Sequence, residues 1–165
     1  MTKRIKAIPT TYKGIEFRSK LEAKYAQALD RLSIVWEYEG HGFVFDDGTC
    51  YAPDFYMPEI DTYLEVKGVM DEASKHKIEL LADEGKRVVV GNPDGSLQYI
   101  NNDEDSWVKG WSKYPLIVSC SACDHVFFTS CDDSYKCKHC GAWDGDRYII
   151  YFPGDSDNIF RAVGW

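Results

Sequence analysis

Two C-x2-C pairs, Cys120-Ser-Ala-Cys123 and Cys137-Lys-His-Cys140, stand 13 residues apart and restrict the last third of this 165-residue chain more than any other feature. The 59 residues from position 107 onward hold five of the six cysteines. A segment that short buries too little apolar surface to fold unaided and needs a staple. Four thiolates select Zn²⁺ in tetrahedral geometry, and a closed shell of sulfurs leaves no water for the metal to activate, so the spacing predicts a structural zinc. Gly141 follows the second pair and supplies the permissive backbone such a knuckle uses. Apolar runs at 116–118, 126–128 and 148–152 fit the strands of a zinc-ribbon-like module over 116–165. His125, Cys131 and His139 are alternative ligands. The start of the chain has no apolar core of secretory length, and no run approaches the ~18 apolar residues of a membrane span. The expectation is a cytoplasmic protein, away from membranes, whose thiols bind metal rather than form disulfides. Cys50, alone on an expected strand, reads as a small buried side chain.

Upstream, the pattern changes to α/β. Leu21, Tyr25, Ala28, Leu29 and Leu32 share one helical face, and Ser19 with Glu22 forms a capping box. Runs at 34–45 and 49–57, rich in β-branched and aromatic residues, flank an Asp47-Gly48 hairpin turn, and Pro58 ends the second. Further strands are expected at 63–68, 87–90 and 97–100, with a helix at 72–84 stopped by Gly85. This gives a core over 1–100 with a mixed central sheet flanked by helices. The polar, acidic stretch that begins at 101 marks a linker to 115.

Charge appears at first to exclude a nucleic-acid function. The chain carries 19 Lys+Arg against 27 Asp+Glu, a formal charge of −8, which argues against coating duplex DNA by a general electrostatic grip. Yet the first twenty residues hold Lys3, Arg4, Lys6, Lys13, Arg18 and Lys20 against Glu16 alone. That strip is either a solvated terminus or a phosphate-contacting arm. In the C-terminal module, Lys136, Lys138 and Arg147 are interleaved with Asp124, Asp132, Asp133, Asp144 and Asp146, so a staple, a protein-docking surface and a DNA contact all remain open.

Some of the acidic residues are arranged for chemistry. Glu65 and Lys67, two apart on one strand, point to the same face. Asp54 follows Pro53, which lacks a ladder donor and suits an edge or bulge. Glu22 lies in the first turn of the opening helix, where it completes a cap or joins a site. If that helix packs across the sheet, one place holds three carboxylates and an ammonium. Such oxygens suit Mg²⁺, which lowers the pKa of bound water for phosphodiester hydrolysis, while a lysine neutralises charge on the phosphoryl group. Bound metal also reverses the local sign, so an acidic site tolerates a polyanion.

Pro53-Asp54 followed by Glu65-Val66-Lys67 resembles the PD-(D/E)XK nuclease signature of the restriction-endonuclease-like fold. Phe17-Arg-Ser-Lys-Leu-Glu-Ala-Lys24, Trp36-Glu-Tyr-Glu39, Tyr51-Ala-Pro-Asp-Phe-Tyr-Met-Pro58 and Leu64-Glu-Val-Lys-Gly68 are similar, in order and spacing, to the phage endonuclease I family of Holliday-junction resolvases, over residues 12–91. The resemblance implies Asp54 and Glu65 as ligands of Mg²⁺ or Mn²⁺ with the Val66 carbonyl completing the shell. Glu22 would help to hold the metals and Lys67 would attend the nucleophilic water. It further implies a homodimer that cuts branched DNA, in the host cytoplasm if phage-encoded. The acidic charge and the cysteine-rich end depart from that family. A duplex nickase or restriction-like cutter, and a nuclease-fold adaptor binding DNA or protein through the ribbon, are the competing expectations.

Overall fold

In the computed structural model, which describes residues 6–102, 110–112, 115–130, 136–143, 150–151 and 158–162, much of the basic N-terminal strip is a hairpin. Strands β1 (Thr10–Tyr12) and β2 (Ile15–Phe17) meet at Lys13-Gly14, both with positive φ, 49° and 78°. A two-residue turn with that twist matches the twist of paired strands. Helix α1 (Lys20–Arg31) starts as the capping box predicts: the Ser19 hydroxyl accepts from the Glu22 N–H and donates to the Glu22 carboxylate at 2.7 Å. Its buried face carries Tyr25, Ala28 and Leu29, and also Glu22.

The two long strands expected at 34–45 and 49–57 are each cut in two. Strands β3 (Glu37–Tyr38), β4 (Phe43–Val44), β5 (Cys50–Tyr51) and β6 (Phe55–Met57) take their place. The first break falls at Glu39, whose backbone is left-handed with its N–H on the Asp54 carbonyl at 2.9 Å. The second falls at Pro53, which cannot donate to a ladder. β4 and β5 form a separate hairpin closed at Asp47-Gly48, with Gly48 at φ 83°. Pro53 was expected at an edge or bulge; instead it precedes β6, which is paired on both sides. Cys50 is exposed rather than buried, because the alternation on β5 turns Tyr51 inward and Cys50 out.

Pro58 ends β6 in a single 3-10 turn, Pro58–Ile60. Then β7 (Thr62–Val66), α2 (Glu72–Asp83) and β8 (Arg87–Gly91) form a βαβ unit with the strands parallel, and β9 (Leu97–Asn101) returns antiparallel. Asp71 caps α2 by accepting from the Ser74 N–H at 2.7 Å. The sequence stretch read as a linker contributes β10 (Gly110–Ser112), which pairs with β9, and its Trp111 indole donates to Glu79 on α2. The mixed sheet runs β10-β9-β8-β7-β6-β3. Leu64, Val66, Val89, Leu97 and Tyr99 share one apolar cluster with α1, whereas Tyr63, Val88, Val90 and Ile100 pack with α2 on the opposite face.

Strands β11 (Pro115–Cys120), β12 (Val126–Ser130) and β13 (Ile150–Tyr151) make a second sheet, ordered β12-β11-β13. Its Ile117, Val118, Phe127 and Phe128 are buried in the cluster that α1 covers. A last short helix, α3 (Ile159–Ala162), begins with the Ile159 N–H on the Gly95 carbonyl at 2.8 Å. Among the described residues, no helix is long and apolar enough to cross a membrane.

Candidate functional site

The end of β7 is where the chemistry-bearing side chains gather. Glu65 lies on the buried five-residue strand, and Lys67 follows it with its N–H on the Gly91 carbonyl at 3.0 Å, so the parallel β8 partner aligns both. The Lys67 ammonium meets Glu65 Oε1 at 2.6 Å. Tyr51, facing inward from β5, donates to Glu65 Oε2 at 2.9 Å. Asp54 reaches β7 from the neighbouring segment: its Oδ2 accepts from the Val66 N–H at 2.7 Å. Across the end of the sheet, Glu22 accepts from the Tyr38 hydroxyl at 2.6 Å as well as from Ser19. Its capping role and its place in the site are therefore compatible.

Glu22, Asp54, Val66 and Lys67 thus line one cleft of about 630 Å³ together with Glu65. Glu22, Asp54 and Glu65 are 7%, 5% and 4% exposed, which is unusual for carboxylates and expensive unless their charge is matched. Burial and the neighbouring Glu65 charge push Asp54 up to about 8, against the opposing pull of the Val66 N–H. Burial and the bond to Glu22 hold Tyr38 up at about 12, and burial with the Glu65 charge raises Tyr51. Both phenols stay neutral donors at physiological pH. Three buried carboxyl groups thus share the cleft with Lys67, Arg18 and Lys77, and they carry hard oxygen donors. Carboxylate oxygens are the kind of donor that a hard divalent cation such as Mg²⁺ prefers.

The hydrogen-bonding partners were not singled out from sequence. Tyr51 and Tyr38 lie 14 and 16 residues from the carboxylates they serve, and only the strand pairing shows which aromatic points inward. Arg18, read as part of a basic arm, reaches the cleft: its guanidinium bridges the Glu39 carboxylate and Asp54 Oδ1, the latter at 3.2 Å. Lys13 pairs with Asp30 at 2.7 Å, Lys6 and Lys20 are exposed, and Lys3 and Arg4 lie outside the described residues. Within the strip, Lys13 and Arg18 thus hold different carboxylates, Asp30 in one case and Glu39 with Asp54 in the other.

The four cysteines also converge. Cys120 and Cys140 sulfurs are 3.7 Å apart, as are those of Cys123 and Cys137. Tetrahedral Zn²⁺ with Zn–S bonds of about 2.3 Å separates its sulfurs by about 3.8 Å, so the cluster could hold a zinc ion. The two knuckles repeat one backbone design. Asp124 and Gly141, each directly after a second cysteine, are left-handed at φ 60° and 77°, and their N–H groups return to the Cys120 and Cys137 carbonyls. His125 and His139, expected as alternative ligands, lie with Cys123 in a second group that could hold a metal ion; their rings stack with centroids 3.4 Å apart, and His125 faces Glu59. Cys131, Asp132, Asp133, Asp144, Asp146 and Arg147 lie outside the described residues.

A scan of protein-family models finds no match to the chain, and a search of curated proteins finds none either.

Proposed function

We propose that the protein is a metal-dependent DNA endonuclease of the restriction-endonuclease-like class, acting on branched or structured DNA as a resolvase would. The observation that carries this reading is the burial of Glu22, Asp54 and Glu65 around one cleft with the Lys67 ammonium 2.6 Å from Glu65. Asp54, Glu65 and the Val66 carbonyl, with Glu22 beside them, would hold Mg²⁺ or Mn²⁺, and that cation supplies water of lowered pKa and charge relief on a phosphodiester. Lys67 holds its ammonium at the carboxylate edge, where it can orient a water and neutralise charge developing on the phosphoryl oxygens. Tyr51 and Tyr38 each occupy one oxygen of Glu65 and Glu22 while Lys67 and Ser19 take the other, which fixes both carboxylates. The cysteine cluster is read as a structural zinc site, and action on paired strands implies a homodimer.

The test is cleavage with Mg²⁺ of a four-way junction, a nicked duplex, a linear duplex and single strands. Preferential, paired cutting of the junction is expected, and Lys67→Ala should lower it by on the order of a hundredfold. Equal cutting of linear duplex would refute the junction preference. No metal-dependent cutting of any substrate would refute the nuclease.

A further inference from the structure

Arg18 lines the cleft, as Lys77 does, and is a cation that the proposed chemistry does not use; unlike Lys77 it is paired directly with one of the site carboxylates, Asp54. It sits immediately before the α1 cap, and its side chain is 63% exposed while that of Asp54 is only 7% exposed. The guanidinium therefore lies over Asp54 from the solvent side. It shares itself between two carboxylates, Asp54 Oδ1 at 3.2 Å and Glu39. Its backbone is held independently, because the Arg18 N–H donates to the Tyr38 hydroxyl at 3.2 Å and that hydroxyl in turn donates to Glu22. Glu39 is placed with equal care: it keeps a left-handed φ of 49°, costly for a side-chain-bearing residue, and its N–H is bonded to the Asp54 carbonyl. The main chain is thus pinned at both ends of a bridge whose arginine side chain is open to solvent.

We infer that Arg18 is a resident counter-cation of the carboxylate cleft: it occupies Asp54 while no divalent cation is there, and once released it binds the phosphate of the nucleic-acid substrate. This rests on the proposed function for its second half. The chemistry suits the exchange. A divalent cation and a guanidinium compete for the same carboxylate oxygen, and like charges that close repel. A planar guanidinium on a flexible, exposed stem matches phosphate oxygens with two parallel donors. The released side chain remains at the cleft mouth, over the place where the reacting phosphate must lie beside Glu65 and Lys67.

The exchange predicts effects of opposite sign from one substitution. In Arg18→Gln, Mn²⁺ titrated into the DNA-free protein, followed by calorimetry or electron paramagnetic resonance, should bind about tenfold more tightly than to the parent. A four-way junction bound in Ca²⁺ should at the same time bind about tenfold more weakly, with a shallower salt dependence by about one phosphate contact. Arg18→Lys, which keeps the charge but not the fork, should restore Mn²⁺ affinity towards the parent value. Thermal melts that coincide for the three proteins exclude a folding defect, consistent with the exposure of the side chain. Unchanged or weaker Mn²⁺ binding in Arg18→Gln would overturn the inference. If Arg18→Gln binds Mn²⁺ more tightly while the parent protein cuts no DNA, the counter-cation role stands and the nuclease reading falls.

Discussion

If the cysteine cluster holds zinc, as proposed, stripping that ion should destabilise the whole chain, not just the ribbon. The perturbation is chelation under reducing conditions, or Cys137→Ser, which removes one of the two buried sulfurs. Its reach follows from packing: Ile117, Val118, Phe127 and Phe128 are all at most 2% exposed and sit in the cluster shared by α1, β7, β8 and β9. Burying one such side chain is worth about 1.5–3 kcal/mol, so four contribute about 6–12 kcal/mol. A partly compact unfolded chain reduces that sum. The remainder is still comparable with the 5–15 kcal/mol by which a typical domain is stable. Hydrogen exchange followed by mass spectrometry checks this directly. On zinc removal, amides of Arg87–Gly91 and Lys20–Arg31 should lose protection along with those of residues 115–143. Full protection in β8 and α1 beside free exchange in the ribbon would refute the reasoning, because it would mean that the shared cluster carries little energy.

Three further outcomes are expected. Gly91→Ala would put a Cβ 2.4 Å from the Tyr25 ring, which is fully buried and bonded to the Asn92 carbonyl; a loss of about 3 kcal/mol in urea unfolding is predicted, and it should largely vanish in a Tyr25→Leu background. Tyr51→Phe should leave the melting curve near the parent's but reduce junction cleavage by about tenfold, since Glu65 loses the donor that fixes Oε2; unchanged cleavage would show that Lys67 alone orients Glu65. Asp30 accepts from Lys13, Tyr12 and the Trp36 indole, which outweigh its burial and hold its carboxyl below the usual range. Its contribution is therefore fully present above about pH 4 and is lost as pH falls through the depressed folded value, so urea midpoints measured from pH 6 to pH 3 should fall less steeply in Asp30→Asn than in the parent.

The legible parts of the sequence were those whose cause is local. The α1 cap needs only Ser19 and Glu22, three residues apart, and the Asp47-Gly48 turn needs only its two residues. β8 is built on the apolar run Val88-Val-Val90, and each cysteine knuckle is a four-residue unit. The β1-β2 hairpin went unread because its turn puts Lys13, not an Asn or Asp, in the left-handed region, and because the charges around it suggested a tail. The division of 34–45 and 49–57 is tertiary: Glu39 turns because the Asp54 carbonyl takes its N–H, a contact that no local propensity encodes. Asp54, Glu65 and Lys67 could be found by their spacing. Arg18 as a partner of Asp54, 36 residues away, could not. The packing of the ribbon into the α1 cluster was hidden for the same reason, since apolar strands look alike whether they cover their own module or another.

The central sheet ends in β3 on one side and β10 on the other, strands of two and three residues. Unpaired backbone groups along a strand invite another chain to add to it, and short borders with a charge such as Glu37 discourage that. A second copy of the protein therefore has little main chain to zip onto at either border. Among the described residues, an assembly that sets two carboxylate clefts against the two arms of one substrate would then be built from side chains on the outer surfaces or from the β12 border of the second sheet. Its spacing would then be governed by surface residues that can change without disturbing the strands that carry Glu65 and Lys67.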